Sequence, residues 1–476
     1  MTKDDKKIVR NVILFCIMFS VFFTFYRIVT LMDKNKHNSD NATIEEIYIP
    51  LDNQSYNENI FNKQGFNNQL NNNMVLDNSN AGNINKSNVI ETNVFYKVGS
   101  RNEVMGKSGI AHMLEHMNFK TTKNLKAGEF DEIVKQMGGV NNASTSFDYT
   151  RYFIKSSTQN LNKSLELFAE LMQNLEFIDS EFQSERDVVA QERLWRTDNT
   201  PSGYLYFRFF NTAYVYHPYH WTPIGFMTDI QNWSLQDVKS FHETYYQPQN
   251  AILLVSGDVN PQDVFSGAEK YFSKIKNKGE IPKVIMQEPI QDGIREAYIK
   301  KDTGGIEWLI MGFKTPSFTH KDQVALEAIG DILGSGKSAI LPSILQDKLQ
   351  LASSVSAYNM DMIDSGMFII VATGNAGVSA NALKEEILKQ IEKLKKTQIT
   401  QAQLDKIKIN TRASFIYSLE SASSVAGLFG SYFVRGDIQP LLDYEKNLES
   451  LNTKQIQDVA KKYLALDQAT TLIMRN

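Results

Sequence analysis

The sequence predicts an α+β protein of two homologous domains, each a mostly antiparallel sheet packed with helices, preceded by an N-terminal transmembrane anchor. Three observations carry that expectation. A helix-then-strand order recurs in mid-chain and at the C-terminus, two histidines sit one turn apart on an apolar helix, and an apolar run follows a basic N-terminus. Composition sets the frame: 42% hydrophobic and 22% charged residues in a chain of 476 are ordinary globular values. That length suffices for two domains with a core each. A net charge of −4, with no basic stripe, argues against a nucleic-acid partner.

Residues 12–26 are apolar or weakly polar, and residues 28–32 extend the run past Arg27. The whole can span a bilayer if Arg27 snorkels to the far interface. Lys3, Lys6, Lys7 and Arg10 precede it, which favours an inside N-terminus and an exported body. A cleaved signal peptide is the competing reading, but no A-x-A-like site follows, and bulky Phe15 before Cys16 does not make a lipoprotein box. Cys16 is the only cysteine, so the body is held by its core rather than by disulfides. After this anchor (1–32), residues 33–60 read as a polar tether. The next stretch is rich in asparagine, to which no function attaches. Within it Met74-Val75-Leu76 reads as part of a first strand, and Val94-Phe95-Tyr96-Lys97-Val98 as the second.

His112-Met113-Leu114-Glu115-His116 is the most informative stretch. Histidines four apart on a helix share a face and can point at one metal ion. Glu115 lies on that face as well, placed to hold a metal-bound water and act as general base. This is the inverted order H-x-x-E-H. Only seven histidines occur in the chain, and apolar Ile110, Ala111, Met113, Leu114, Met117 and Phe119 surround this pair. Buried histidines and glutamates need a partner or a metal. Zinc suits imidazole and carboxylate donors and keeps one position open in catalytic sites, so a carboxylate must come from elsewhere.

A helix with Asp179 or Ser180 as N-cap, and Glu181 and Glu185 in its opening turns, supplies that carboxylate. Glu185, Val188, Val189 and Glu192 share one face, which reads as a buried face carrying charge. Glu192 is the expected third ligand, and Glu185, two turns earlier, is better placed to orient a ligand histidine. The bland alternative pairs both glutamates with Arg186, Arg193 or Arg196 at the surface.

The repeat organises the rest. A helix containing Leu235, Val238 and Phe241 leads to Tyr245, Asn250-Ala251 and the strand Ile252-Leu253-Leu254-Val255. Ile456, Val459, Tyr463, Gln468-Ala469 and Leu472-Ile473 repeat that order. This predicts a metal-binding domain over 60–275, a linker over 276–293 containing Pro282 and Pro289, and a homologous domain over 294–476. The second copy has only the solitary His320, expected to be structural or solvated, and so binds no zinc.

With these residues in place the chain resembles the pitrilysin/insulinase-type zinc metallopeptidases, closest to bacterial proteases similar to mitochondrial processing peptidase. Supporting stretches are Val98-Gly99-Ser100-Arg101-Asn102-Glu103, Gly109-Ile110-Ala111, Gly138 to Ser146, Asp148-Tyr149-Thr150, His217-Pro218-Tyr219 and Ile224-Gly225. The resemblance implies one zinc at His112, His116 and Glu192, Glu115 as base, and edge pairing of a peptide substrate with the strand at Asn142, Ala143 and Ser144. The apolar run and its basic flank, for their part, predict a bacterial inner-membrane protein whose body faces the periplasm. The resemblance also exposes a departure. Active relatives, or their partner subunits, carry an arginine–tyrosine pair that contacts the substrate carbonyl. Here Gln346 and Ser353 stand at those positions. That points to the zinc-bearing member of a two-subunit protease, with a homologous subunit supplying the pair; the alternative is that Lys348 and Tyr358 substitute. A non-catalytic core-type subunit of a membrane complex is the other class, but it would be expected to lose the metal residues.

Overall fold

The computed structural model describes residues 88–476. The anchor, the tether and the strand expected at Met74-Val75-Leu76 lie outside the described residues. Among those described, no helix is long and apolar enough to cross a membrane.

The first sheet has four strands, β1 (Val89–Tyr96), β2 (Val140–Thr145), β3 (Thr150–Ser157) and β4 (Ala251–Gly257), in the order β2-β3-β1-β4. All of its pairings are antiparallel. The second has five strands, β5 (Arg295–Lys300), β6 (Trp308–Thr315), β7 (Ala352–Met360), β8 (Gly366–Gly374) and β9 (Thr470–Arg475), in the order β5-β9-β6-β8-β7. Only the β5–β9 pair is parallel.

In chain order the helices around the first sheet are α1 (Ile110–Met117), α2 (Glu129–Gln136), α3 (Leu161–Asn174) and α4 (Asp179–Arg193). They continue with α5 (Pro201–Ala213), α6 (Met227–Asn232), α7 (Leu235–Tyr245) and α8 (Pro261–Phe272). Those of the second half include α9 (Gln323–Gly334), α10 (Ala380–Lys396), α11 (Gln401–Tyr417) and α12 (Ala422–Arg435). The short α13 (Gln439–Leu442) and α14 (Tyr444–Ser450) lead to α15 (Thr453–Tyr463).

The sequence repeat is a structural one. Both α7 and α15 open with a capping box, Ser234 with Asp237 and Asn452 with Gln455, which satisfies the first free amides reciprocally. Each then passes through a 3-10 turn into a buried strand, β4 or β9.

Strand alternation decides how the sheets are covered. On β1 and β4, Ile90, Val94, Tyr96, Leu253 and Val255 face a core shared with α1, α3, α7 and α8. Phe95, Ile252 and Leu254 face the other way, and what covers them is α12, arriving from the C-terminal half with Val425, Ala426, Phe429 and Phe433. The exchange is reciprocal: α5 lays Leu205, Phe209 and Phe210 against Ile310, Ile369, Leu472 and Met474 of the second sheet. Two-sided burial explains why β4 reads as an unbroken apolar run rather than an alternation.

Contacts between the halves are also polar. Asp148, at the β2–β3 turn, accepts a hydrogen bond from the Tyr219 hydroxyl at 2.5 Å and another from the Ile363 amide at 3.0 Å. Asp364 accepts from Arg101 at 2.5 Å and lies 2.9 Å from His217 Nε2.

Candidate metal centre

Helix α1 is held from outside itself. Its cap residue Gly109 has φ +83° and offers no side chain, so buried Glu103 serves instead, accepting from the amides of Gly109 and Ala111 at 2.8 Å each. The Trp221 indole donates to the same carboxylate at 2.7 Å. Burial raises Glu103 to about 8, against the pull of these donors. A side chain on Gly109 would collide with the Ile224 carbonyl at 2.6 Å, so glycine is required where the chain enters this helix. Packing then fixes the face, with Ile110, Ala111, Met113, Leu114 and Met117 buried. His112, Glu115 and His116 are left looking toward α4 and β2.

Helix α4 differs in detail from the sequence expectation. It begins at Asp179, and its cap position, Ile178, provides no side-chain acceptor. Glu181 is engaged elsewhere, accepting from the Thr121 amide at 3.3 Å and hydroxyl at 2.6 Å. Val189 is buried but Val188 is 47% exposed, so the face between Glu185 and Glu192 is only half covered. The helix runs on into a π segment, Leu194–Asp198. There buried Arg193 bridges Asp198 at 3.0 Å and stacks on Phe207 at 3.9 Å.

The structure brings His112, His116 and Glu192 together. One donor atom from each lies within 4.8 Å of the others. Glu192 Oε2 is 3.6 Å from His112 Nε2 and 3.4 Å from His116 Nε2. Tetrahedral zinc with bonds of about 2.0–2.1 Å has ligand–ligand edges of roughly 3.3–3.4 Å, and the two edges that Glu192 makes with the imidazoles lie close to that length. The other Glu192 oxygen is held by Arg196 at 2.8 Å. The surface-pairing alternative is thus half realised, on the oxygen that faces away from the imidazoles.

Behind the ligands, Glu185 Oε1 lies 3.1 Å from His116 Nδ1, and its second oxygen takes a 2.6 Å ion pair from Lys120. This leaves His116 Nε2 turned toward Glu192, the arrangement a metal-binding histidine would adopt. Nδ1 of His112 is buried without a partner.

Electrostatics divide the histidines. Burial and the neighbouring His116 lower His112 to about 4. Burial also works against a charged His116, but hydrogen bonds to Glu185 and Glu192 outweigh it and raise this group to about 9. Glu192 is held below the usual carboxylate range, chiefly by its hydrogen bond to His116. Glu115 is shifted the opposite way, upward by burial, although Thr145 donates to its Oε2 at 2.5 Å.

Asn142, Ala143 and Ser144 lie in β2, which among the described residues pairs with β3 alone and so presents its other side as an edge. The Ala143 amide is occupied by the Asn142 side chain at 2.9 Å. In the second half, Gln346 and Ser353 meet each other, the Gln346 amide donating to the Ser353 carbonyl at 2.9 Å. His320 folds back on its own turn, accepting from the Asp322 amide at 3.1 Å.

Sequence reasoning missed three contributors: Glu103, Lys120 and Thr145. A signal existed for Lys120, four residues beyond His116. None existed for Glu103 and Thr145, whose contacts depend on tertiary structure.

Fold and donor set together describe a zinc-peptidase architecture, and comparison with known proteins identifies the family. The profile of the insulinase family (peptidase family M16) matches residues 83–214, and that of the peptidase M16 inactive domain matches residues 232–411. The chain is 60% identical over 384 residues to a zinc protease of Helicobacter pylori, covering 80% of this chain and 86% of that protein. It superposes on the crystal structure of a protease from Helicobacter pylori with a TM-score of 0.81 at 60% identity, covering 82% of this chain and 95% of that one. More distant are a probable mitochondrial-processing peptidase subunit beta of Arabidopsis thaliana and cytochrome b-c1 complex subunit 1 of Bos taurus. The first is 25% identical over 78% of this chain and 71% of its own length, the second 24% over 78% of each. The chain belongs to peptidase family M16.

Proposed function

We propose that this protein is a zinc-dependent endopeptidase acting on peptides or unfolded segments, and that it serves as the zinc-bearing subunit of a two-chain enzyme. The observation that carries the first part is the donor triangle of His112, His116 and Glu192 with Glu115 on the same helical face. Zinc bound there would supply Lewis acidity and bring the pKa of a water to about 7. Glu115, its basicity raised by burial, takes a proton from the attacking water and returns it to the leaving amine. The free edge of β2 at Asn142, Ala143 and Ser144 supplies backbone groups for an extended peptide, in the mode of strand addition. For the Ala143 amide, the Asn142 side chain has to swing aside.

The experiment is a comparison of the native chain with Glu115→Gln on an unfolded polypeptide. The variant should keep its zinc and its melting temperature and lose nearly all hydrolysis. Near-normal turnover would overturn the role. A non-catalytic core subunit is the competing reading, supported by the likeness to the bovine b-c1 subunit. It predicts no hydrolysis by either protein under any partner condition.

Two-chain action rests on the second half. Gln346 is spent on the β7 backbone, and Ser353 donates its hydroxyl to the Thr373 carbonyl at 3.2 Å. Neither is a charged or long donor for an oxyanion. A homologous subunit with an arginine and a tyrosine at these places would complete the site. Membrane anchoring and a periplasm-facing body rest on the apolar run after Lys3, Lys6, Lys7 and Arg10. Digestion of the body by protease added to spheroplasts tests them, and full protection would place the body in the cytoplasm.

A further inference from the structure

One residue of the stretch around Asn142 takes no part in the chemistry above. Thr145 ends β2, opposite Thr150 of β3, and its hydroxyl donates to Glu115 Oε2 across the space between the sheet edge and the metal helix. That donor is firmly seated. The next residue, Ser146, closes the turn with its amide on the Tyr149 carbonyl at 2.8 Å and its hydroxyl near the amides of Asp148 and Tyr149. The Ser146 and Phe147 carbonyls accept from the amides of Ser100 and Arg101 at 3.2 and 2.8 Å. Asp148 is tied to Tyr219 and to the Ile363 amide of the other half. Thr150 donates its hydroxyl to the Val98 carbonyl at 2.8 Å. A hydroxyl on so constrained a turn can impose an orientation on the side chain it meets.

A glutamate needs such help. Its carboxylate sits at the end of three rotatable bonds, and a base must present one oxygen to the water within hydrogen-bond reach. We infer that Thr145 is the positioning residue of the general base: by engaging Glu115 Oε2 from the strand that also seats the peptide, it leaves Oε1 as the atom that accepts and returns the proton. The inference rests on the reading of Glu115 as base. It adds a mechanical link, because β2 carries both the peptide's backbone partners and the base's anchor. Correct seating of the substrate and correct aim of the base are then properties of one strand. The consequence falls on the chemical step rather than on binding.

The test uses the full chain, supplemented with its partner subunit if hydrolysis requires one, and Thr145→Val, which keeps the shape but not the donor. A positioned general base contributes about 10²–10⁴ in rate, and losing its aim should cost roughly 10–100-fold in kcat. KM should stay within about twofold, since an interaction used only in the transition state leaves ground-state binding alone. Thr145→Ser, which restores the hydroxyl, should recover most of the activity, whereas Thr145→Ala should behave as Thr145→Val. If Thr145→Val folds poorly, the Ser–Ala comparison carries the same information. Two further readouts do not involve turnover. Zinc content should be stoichiometric in all three variants, and peptide affinity on a Glu115→Gln background should be unchanged by adding Thr145→Val. Wild-type kcat in Thr145→Val, a serine variant as poor as valine, or a loss confined to peptide affinity would overturn the inference. Substantial turnover by Glu115→Gln alone would instead overturn the assignment of the base.

Discussion

Zinc binding should be coupled to the release of about one proton near neutral pH, and the coupling should trace to Glu185. A metal takes imidazole only in its neutral form. Without metal, His112 is already neutral at pH 7, since burial lowers it to about 4. His116 is not neutral, because Glu185 and Glu192 overcome the burial that opposes its charge and raise it to about 9. Both glutamates are ionised, their own values being lowered. One proton must therefore leave when zinc arrives. Removing it at pH 7 from a group with a pKa of about 9 costs about 2.7 kcal/mol at 1.36 kcal/mol per unit. The apparent affinity should rise about tenfold per pH unit from 7 to 8 and level off above about 9. Titration calorimetry in HEPES, PIPES and MOPS, plotted against buffer ionisation enthalpy, gives the proton count directly. In Glu185→Gln the hydrogen bond that holds the charged imidazole is lost, so His116 falls and fewer protons are released. The loss of ring orientation should still weaken binding about 10–100-fold. Weaker binding with less pH dependence is a combination that simple damage to the site does not give. Buffer-independent heats for the native chain, or full proton release by Glu185→Gln, would refute the reasoning. The sign for the metal-free fold is the reverse. A raised His116 stabilises it below the unfolded value of about 6.5, and that contribution fades as pH climbs through about 9.

His116→Ala or Glu192→Ala should fail to retain stoichiometric zinc on metal analysis, since each removes a member of the donor triangle. Asp148→Ala should cost roughly 2–6 kcal/mol in urea unfolding, because the Tyr219 hydroxyl and the Ile363 amide lose their acceptor and each unpaired buried group costs about 1–3 kcal/mol. Gly430→Ala should destabilise by about 1–3 kcal/mol in the same assay, since a new Cβ would lie 2.2 Å from the Phe95 ring where α12 crosses the first sheet. The purified chain alone should be a poor peptidase, and a homologous chain bearing the arginine–tyrosine pair should restore activity, one preorganised oxyanion donor being worth about 10²–10³ in rate; robust hydrolysis by a sample shown to be monomeric would argue for Lys348 or Tyr358 instead.

The donor cluster was legible in the sequence because its geometry is local. Spacing on one helix fixes His112, Glu115 and His116 relative to each other, and the periodicity of the next charged helix selects Glu192. The repeat was legible for a similar reason, as capping residues and a two-sided apolar strand follow one another at short range. What periodicity cannot say is which surface an apolar face will meet. The apolar face of α12 is evident in Ala422, Val425, Ala426, Phe429 and Phe433, yet nothing in those residues assigns it to β1 and β4; Ser256 and Ala422, which meet there, are 166 residues apart in sequence. The N-cap expected at Asp179 or Ser180 is not used. The cap position falls one residue earlier, on Ile178, which has no side-chain acceptor, and the Asp179 carboxylate accepts from Gln183 within the helix. Val188 misled for a different reason, since the stripe between Glu185, which holds His116, and Glu192 of the donor cluster borders an open site rather than a core.

The reciprocal helices give the metal-free half a reason to persist. Helix α5 follows the zinc-ligand helix after only the π segment and a short turn, and its aromatic face is buried on the second sheet. The position of Glu192 is thus tied, through Arg193 stacked on Phe207 of α5, to packing on the half that has no ligands. In return α12 closes the back of β1, whose neighbour β3 carries Thr150 and holds β2, with Thr145, on its far side. Removing the second half would strip the cover from Phe95, Ile252 and Leu254 and leave Leu205, Phe209 and Phe210 in water. Apolar burial is worth about 25 cal/mol per Å², so two uncovered aromatic faces are a loss that few domains of this size could absorb. A half-chain with no such donor cluster among its described residues would still be required, because it covers the faces on which the donor triangle's own half depends.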